Sequence, residues 1–183
     1  MPDKTRPLLI LSLLVELIIL ALSFLMAETW AETFKLAARF SGRFSALLFF
    51  GAFFQYLQHL RSKQVMDLGF SLLRVFALAH LIHFGFLAAN IVLNEIPIIP
   101  FRLAGGALAY LLIFAAAFKF PLWKKGWQLS YFLYVNLVVF LTYLARAQGK
   151  FEGAEPQTLH FMGLGISAAF SIAALFYFIR YRK

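Results

Sequence analysis

The sequence contains no cysteine and few charged residues. None of its 183 residues is Cys, and only 14% are Asp, Glu, Lys or Arg. The lack of Cys excludes disulfides, thiolate-bound metals and iron–sulfur clusters. The charged fraction is well below the roughly 25% of a typical soluble domain, and 62% of the residues are hydrophobic. The composition therefore predicts a protein whose main solvent is a lipid bilayer.

The formal net charge of +9 could suggest a nucleic-acid partner. The basic residues, however, lie in short clusters between long apolar runs, which is typical of the flanks of membrane spans. We therefore expect contact with lipid and none with nucleic acid.

Six stretches are long and apolar enough to cross a membrane, which needs roughly 20 residues. They are residues 7–27, 43–60, 70–93, 103–120, 127–147 and 159–179. The first follows Lys4 and Arg6, but it is too long for the apolar region of a signal peptide. The loops between the stretches are short. The sequence therefore predicts an all-α, polytopic membrane bundle of six helices, forming one domain over residues 1–183.

The segment between the first two stretches, "ETWAETFKLAARFSGR" (28–43), is rich in helix formers and has charges three to four residues apart. Such spacing is typical of a short amphipathic helix on the membrane surface. An ordinary polar loop fits the same segment equally well.

Loop charge predicts the orientation of a six-span bundle. The side that would hold both termini carries ten Lys and Arg residues in its loops and tails, and the opposite side carries six. Cytoplasmic loops are enriched in Lys and Arg. We therefore expect both termini to lie in the cytoplasm. The remaining basic residue, Arg74, lies near the start of the third stretch and can extend to the cytoplasmic interface.

Two histidines, His80 and His83, lie in the third stretch and about 60° apart around a helix. A polar side chain at membrane depth normally faces protein, so each imidazole either hydrogen-bonds a neighbouring helix or binds a metal. Haem iron is the metal that best suits neutral imidazoles among apolar walls. His160, at the start of the sixth stretch, could be a further ligand beside His83 if those two helices adjoin.

Other polar residues also lie within apolar stretches. A carboxylate such as Glu16 costs several kcal/mol in the bilayer unless it is protonated or paired. Glu16 could belong to a proton path, pair with Arg74, or face a water-filled cavity. Asn136 is expected to hydrogen-bond across helices.

Several short motifs follow one another in a distinctive order. "SGRFSALLFF" precedes "RVFALAHLIHFGFLA", which is followed by a small-residue stretch, a basic turn with Trp ("PLWKKGWQLSYFLY") and "VVFLTYLARA". Over about residues 40 to 147, this order resembles the ferric-reductase-like transmembrane domain superfamily. That superfamily includes the haem-binding membrane subunit of the methionine sulfoxide reductase system. The resemblance implies a haem ligand at His80 or His83 and partner histidines in the fifth span.

The fifth span departs from that pattern. Ser130 stands where the first partner histidine is expected, and Thr142 or Tyr143 where the second is expected. The usual cross-helix pair of histidines is therefore missing. Three interpretations remain: one haem held by His80 or His83 together with His160, a five-coordinate haem, or the same fold without haem.

Three functions are consistent with the sequence. The first is a subunit of the inner (plasma) membrane that carries haem b and transfers electrons with a partner membrane or redox protein. The second is a haem-free structural or assembly subunit of a membrane complex, and the third is a small transporter. The sequence identifies no catalytic residue, and a complete reductase would also need a flavin or nicotinamide domain.

Overall fold

The computed structural model describes residues 5–62, 66–98, 100–150 and 156–181. These residues form α-helices and no strand. The helices are α1 (Thr5–Met26), α2 (Trp30–Ser62), α3 (Asp67–Leu93), α4 (Pro100–Lys119), α5 (Lys125–Ala147) and α6 (Thr158–Arg180), with a 3₁₀ helix at Phe120–Leu122 between α4 and α5. The all-α prediction is confirmed.

Helix α2 differs most from the prediction. The segment expected to be a surface helix or a loop is helical, but it continues without a break into the second predicted span. The helix begins at Trp30 because the hydroxyl of Thr29 accepts a hydrogen bond from the backbone N–H of Glu32 (3.2 Å), as in a helix N-cap. No proline follows before Ser62, so nothing in the backbone stops the helix at residue 43.

Helix α1 buries its polar residues and exposes its apolar ones. Its buried residues are Thr5, Ser12, Glu16 and Ser23, which share one face because they are spaced seven, four and seven residues apart. Leucines on the opposite face are more than half exposed, with Leu25 at 77%. This polarity is the reverse of a helix on a water-soluble core and suits a helix that contacts lipid.

Five helices are long and apolar enough to cross a membrane. Among the described residues these are α1, α3, α5, α6 and the stretch Ala104–Leu122, which contains most of α4. Helix α2, whose first half is charged, is not among these five helices. The chain is therefore a multi-pass integral membrane protein, while the predicted count of six spans stays a prediction.

The helices divide into two compact units. Unit 1 comprises Met1–Ala52 and Asp67–Leu103, and unit 2 comprises Phe53–Met66 and Ala104–Lys183. In unit 1, polar contacts join the helices. The hydroxyls of Thr5 on α1 and Ser71 on α3, for example, lie 3.0 Å apart.

Unit 2 is held by aromatic packing and by one buried amide. The Phe132 ring is fully buried and stacks on Phe53 and Tyr56, with each ring centroid 4.7 Å away. Asn136 of α5 donates hydrogen bonds to the carbonyl of Ser167 (2.7 Å) and the hydroxyl of Ser171 (2.8 Å) on α6. This is the cross-helix bonding expected for Asn136.

The predicted orientation stays a prediction. Among the basic residues on which it depends, Lys4, Lys63, Arg182 and Lys183, together with the side chain of Arg102, lie outside the described residues. The predicted inner-membrane location and the single domain over residues 1–183 likewise stay predictions.

Candidate functional site

His80 and His83 both face α2 within unit 1. The Nδ1 atom of His80 lies 2.8 Å from the hydroxyl of Ser45. The His83 ring lies against Gly42, where an added Cβ would be 2.9 Å from Cε1 and 3.4 Å or less from both ring nitrogens. The two imidazole centroids are 5.5 Å apart. The expectation that these rings face protein is confirmed, and their role as ligands stays a prediction.

His160 lies in unit 2, where it is buried near the start of α6. The backbone N–H of Gln157 donates to Nδ1 of His160 (3.1 Å). Because a backbone amide can only donate, Nδ1 is the acceptor and the neutral ring carries its proton on Nε2. Neither nitrogen then offers a free lone pair to a metal, so a ligand role would require breaking this bond.

The fifth-span positions that depart from the superfamily pattern have other roles in α5. The Thr142 hydroxyl donates to the carbonyl of Val138 in its own helix (2.8 Å). Tyr143 packs against Gly163 of α6, where an added Cβ would lie 2.7 Å from the ring. Ser130 lines a surface groove beside the start of α5.

These contacts decide which haem sites the residues fit. Nowhere in the described ranges do three His, Cys, Asp or Glu side chains come close enough to hold one metal ion. The two-histidine site of the superfamily is not matched, because α5 supplies no imidazole. Gly42 of α2 lies against Cε1 of His83, the ring atom between its two nitrogens. His80 differs from His83, because its contact with Ser45 is made through Nδ1, so Nε2 is the ring nitrogen that would hold a haem iron.

Glu16 is the most deeply placed acidic residue in the described spans. It lies near the middle of α1 and is 2% exposed. Its Oε1 accepts a hydrogen bond from the hydroxyl of Ser41 on α2 (2.9 Å). Its Oε2 is buried and has no hydrogen-bond partner among the described residues. Arg74 is exposed on α3 and is not the partner of this carboxyl group.

Three of the buried serines of unit 1 lie beside Glu16 or His80, and sequence reasoning missed all three. Ser12 lies one helical turn before Glu16, and its hydroxyl is buried without a hydrogen-bond partner in the part of the chain that the structure describes. Ser41 and Ser45 lie one turn apart on α2 and bond Glu16 and His80 respectively. The available sequence signal was spacing. Ser12 lies four residues before Glu16 and Ser41 lies four residues before Ser45, and residues four apart share a helix face.

No protein-family description, curated protein or solved structure matches this chain significantly.

Proposed function

We propose that this integral membrane protein is a small transporter in which Glu16 binds and releases a proton. The observation that carries the proposal is the buried Oε2 atom of Glu16, which has no hydrogen-bond partner in the described ranges. Buried polar atoms in proteins are nearly always hydrogen-bonded. A glutamate that served only to join α1 to α2 would be expected to satisfy both of its oxygens.

The surroundings of the carboxyl group suit a change of protonation. The Ser41 hydroxyl donates to Oε1, so a proton on the carboxyl group belongs on Oε2. There it has no acceptor among the described groups, and the ionised form has no donor to that oxygen. Both states are thus incompletely satisfied, which keeps either one from being strongly favoured by hydrogen bonding. Ionisable residues inside membrane segments commonly mark ion or proton pathways.

Proton uptake into liposomes tests this function. The purified protein is reconstituted with a pH-sensitive dye inside, and a potassium diffusion potential drives protons inward. We expect dye acidification above the rate of empty liposomes, and we expect Glu16→Gln to reduce it to that rate. Glutamine keeps an acceptor for Ser41 and nearly the same volume, but it cannot exchange a proton.

Two controls separate transport from structure. Glu28→Gln removes an exposed carboxylate and should leave the rate unchanged, whereas Ser41→Ala keeps the carboxyl group and should slow proton uptake without abolishing it. A hydrophobic carbodiimide, which reacts with protonated carboxyl groups in apolar surroundings, should label Glu16 faster than Glu28. Parent-like uptake by Glu16→Gln would exclude the transporter and leave Glu16 as a contact between α1 and α2.

A second candidate function is a b-type haem subunit with His80 as its single protein ligand. It is favoured by the Ser45 contact, because metal-binding histidines usually bond a neighbouring group through the second ring nitrogen. Bound haem iron would supply one-electron transfer, and a partner protein would have to supply or accept the electron.

The optical spectrum of protein purified from haem-supplied cells tests this candidate. A Soret band is expected if His80 binds haem, and His80→Ala should abolish it while His59→Ala leaves it unchanged. His59 serves as the control because it lies near the end of α2, in unit 2. A colourless protein that is folded by circular dichroism would contradict the haem proposal and would leave the transporter proposal intact.

A further inference from the structure

We infer that the start of α5 and the groove beside it bind one anionic phospholipid, with its phosphate at the helix N-terminus and an acyl chain in the groove. This inference concerns unit 2 and does not depend on the function proposed for Glu16. It rests on four features of the described residues: the shape of the groove, the open helix end, the placement of the lysines and a buried tyrosine hydroxyl.

The groove has a volume of about 430 Å³ and a mostly aromatic lining. It is lined by Leu112, Trp123, Trp127, Ser130, Tyr131 and Tyr134. Apolar walls of this kind suit a hydrocarbon chain, and Trp and Tyr concentrate where a membrane protein meets the lipid head groups. We therefore place the groove at the membrane depth where the head group of a lipid joins its acyl chains, so that one lipid can contact it with both parts.

The N-terminal end of α5 is open to an anion. The cap residue, Lys124, has extended backbone angles and makes no side-chain cap hydrogen bond. No acidic residue lies in the first turn, and an added Cβ on Gly126 would meet no atom within 4 Å. The free backbone N–H groups of the first turn and the positive end of the helix dipole favour a phosphate at this position.

The helix register brings charge and groove together. Lys124, Trp127, Tyr131 and Tyr134 are spaced three, four and three residues apart, so they share one face of α5. Lys124 and Lys125 are both exposed. A phosphate bound at the helix end would thus have lysine beside it and the groove directly below it. Two lysines favour a lipid with a net negative charge over a zwitterionic one.

A buried hydroxyl supplies an independent indication of a ligand. Tyr131 is 2% exposed and lines the groove, yet its hydroxyl has no hydrogen-bond partner among the described residues. A small rotation of the Tyr131 side chain would bring this hydroxyl into the groove, where the ester carbonyl of a phospholipid, which lies between the phosphate and the chain, would accept its hydrogen bond.

Fluorescence quenching by brominated lipids tests the inference. The chain has three tryptophans, so the Trp30→Phe variant retains only Trp123 and Trp127 as reporters. It is reconstituted in phosphatidylcholine vesicles containing increasing fractions of brominated phosphatidylglycerol or, separately, brominated phosphatidylcholine. We expect the anionic lipid to bind at least about fivefold more tightly, since each lysine near an anionic surface contributes roughly a factor of five.

Variants locate the site and control for general charge. Lys124→Gln with Lys125→Gln should abolish the preference, whereas Lys150→Gln with Arg180→Gln removes the same charge elsewhere in unit 2 and should preserve it. Ser130→Phe should fill the groove and weaken binding of the anionic lipid without removing a charge.

Equal quenching by both lipids in the parent, or equal loss of the preference in both double variants, would overturn the inference. Loss of the preference in millimolar inorganic phosphate would also overturn it, because it would indicate a phosphate site without a lipid.

Discussion

Replacing Phe132 with alanine should lower the free energy of unfolding by about 3 kcal/mol. Phe132 is fully buried and stacks on Phe53 and Tyr56, and its ring edge meets Phe120 and Tyr131 at centroid distances of 5.5 and 5.1 Å. Each such aromatic pair contributes roughly 0.5–1.5 kcal/mol beyond burial.

The expected loss lies at the lower end of the range for soluble proteins. Phe→Ala in a water-soluble core costs roughly 3–5 kcal/mol, part of which is the transfer of the ring out of water. In a bilayer the lipid tails are as apolar as the protein interior, so this transfer part is largely absent. What remains is the cavity and the lost contacts among the rings.

Unfolding in mixed micelles, followed by circular dichroism, measures this difference. Phe118→Ala is the matched control, because Phe118 is 77% exposed on α4 and its removal leaves no cavity. We expect the control to change stability by less than about 0.5 kcal/mol, as for most surface substitutions. Equal losses in the two variants would mean that the buried cluster contributes no more than a lipid-facing ring.

The apolar spans could be predicted from the sequence because hydropathy and length together define them. The predicted stretches 70–93 and 127–147 agree closely with α3 and α5. The continuity of α2 could not be predicted in the same way. A surface helix, a polar loop and the first half of a long helix all accommodate the charges and alanines of residues 28–43. The choice depends on how that half packs, and there Thr33, Ala37 and Ser41 are buried.

The candidate site was only partly visible in the sequence. Glu16 and the two histidines of α3 stand out because each interrupts an apolar run. Ser12, Ser41 and Ser45 do not stand out, because serine is common in membrane helices and bonds well within its own helix. Their role depends on pairs such as Glu16 with Ser41, whose members lie on different helices. Such pairs follow from tertiary packing, which a single sequence does not specify.

Substituting Gly163 with alanine should destabilise the contact between α5 and α6 by about 1–3 kcal/mol, the usual cost of overpacking. An added Cβ would lie 2.7 Å from Cγ and Cδ2 of Tyr143 and 2.8 Å from Cδ1. Cγ is the ring atom bonded to Cβ, and Cδ1 and Cδ2 are bonded to Cγ. Moving only the far end of the side chain therefore cannot relieve the clash. Either the tyrosine or the helix must move, and His160, whose ring centroid is 6.4 Å from that of Tyr143, would be displaced with it.

Gly165 of the same helix provides a control, because alanine at this position should raise the stability that alanine at Gly163 lowers. No atom lies within 4 Å of a Cβ added there, so Gly165→Ala should raise stability by up to about 1 kcal/mol through its better helix propensity. The Tyr143→Ala background removes the ring that Gly163→Ala would strike, and in that background Gly163→Ala should become neutral or stabilising. If the loss instead persists in full without the tyrosine ring, the close approach of Tyr143 to Gly163 is not its cause. The small residue would then be required for some other contact of α6.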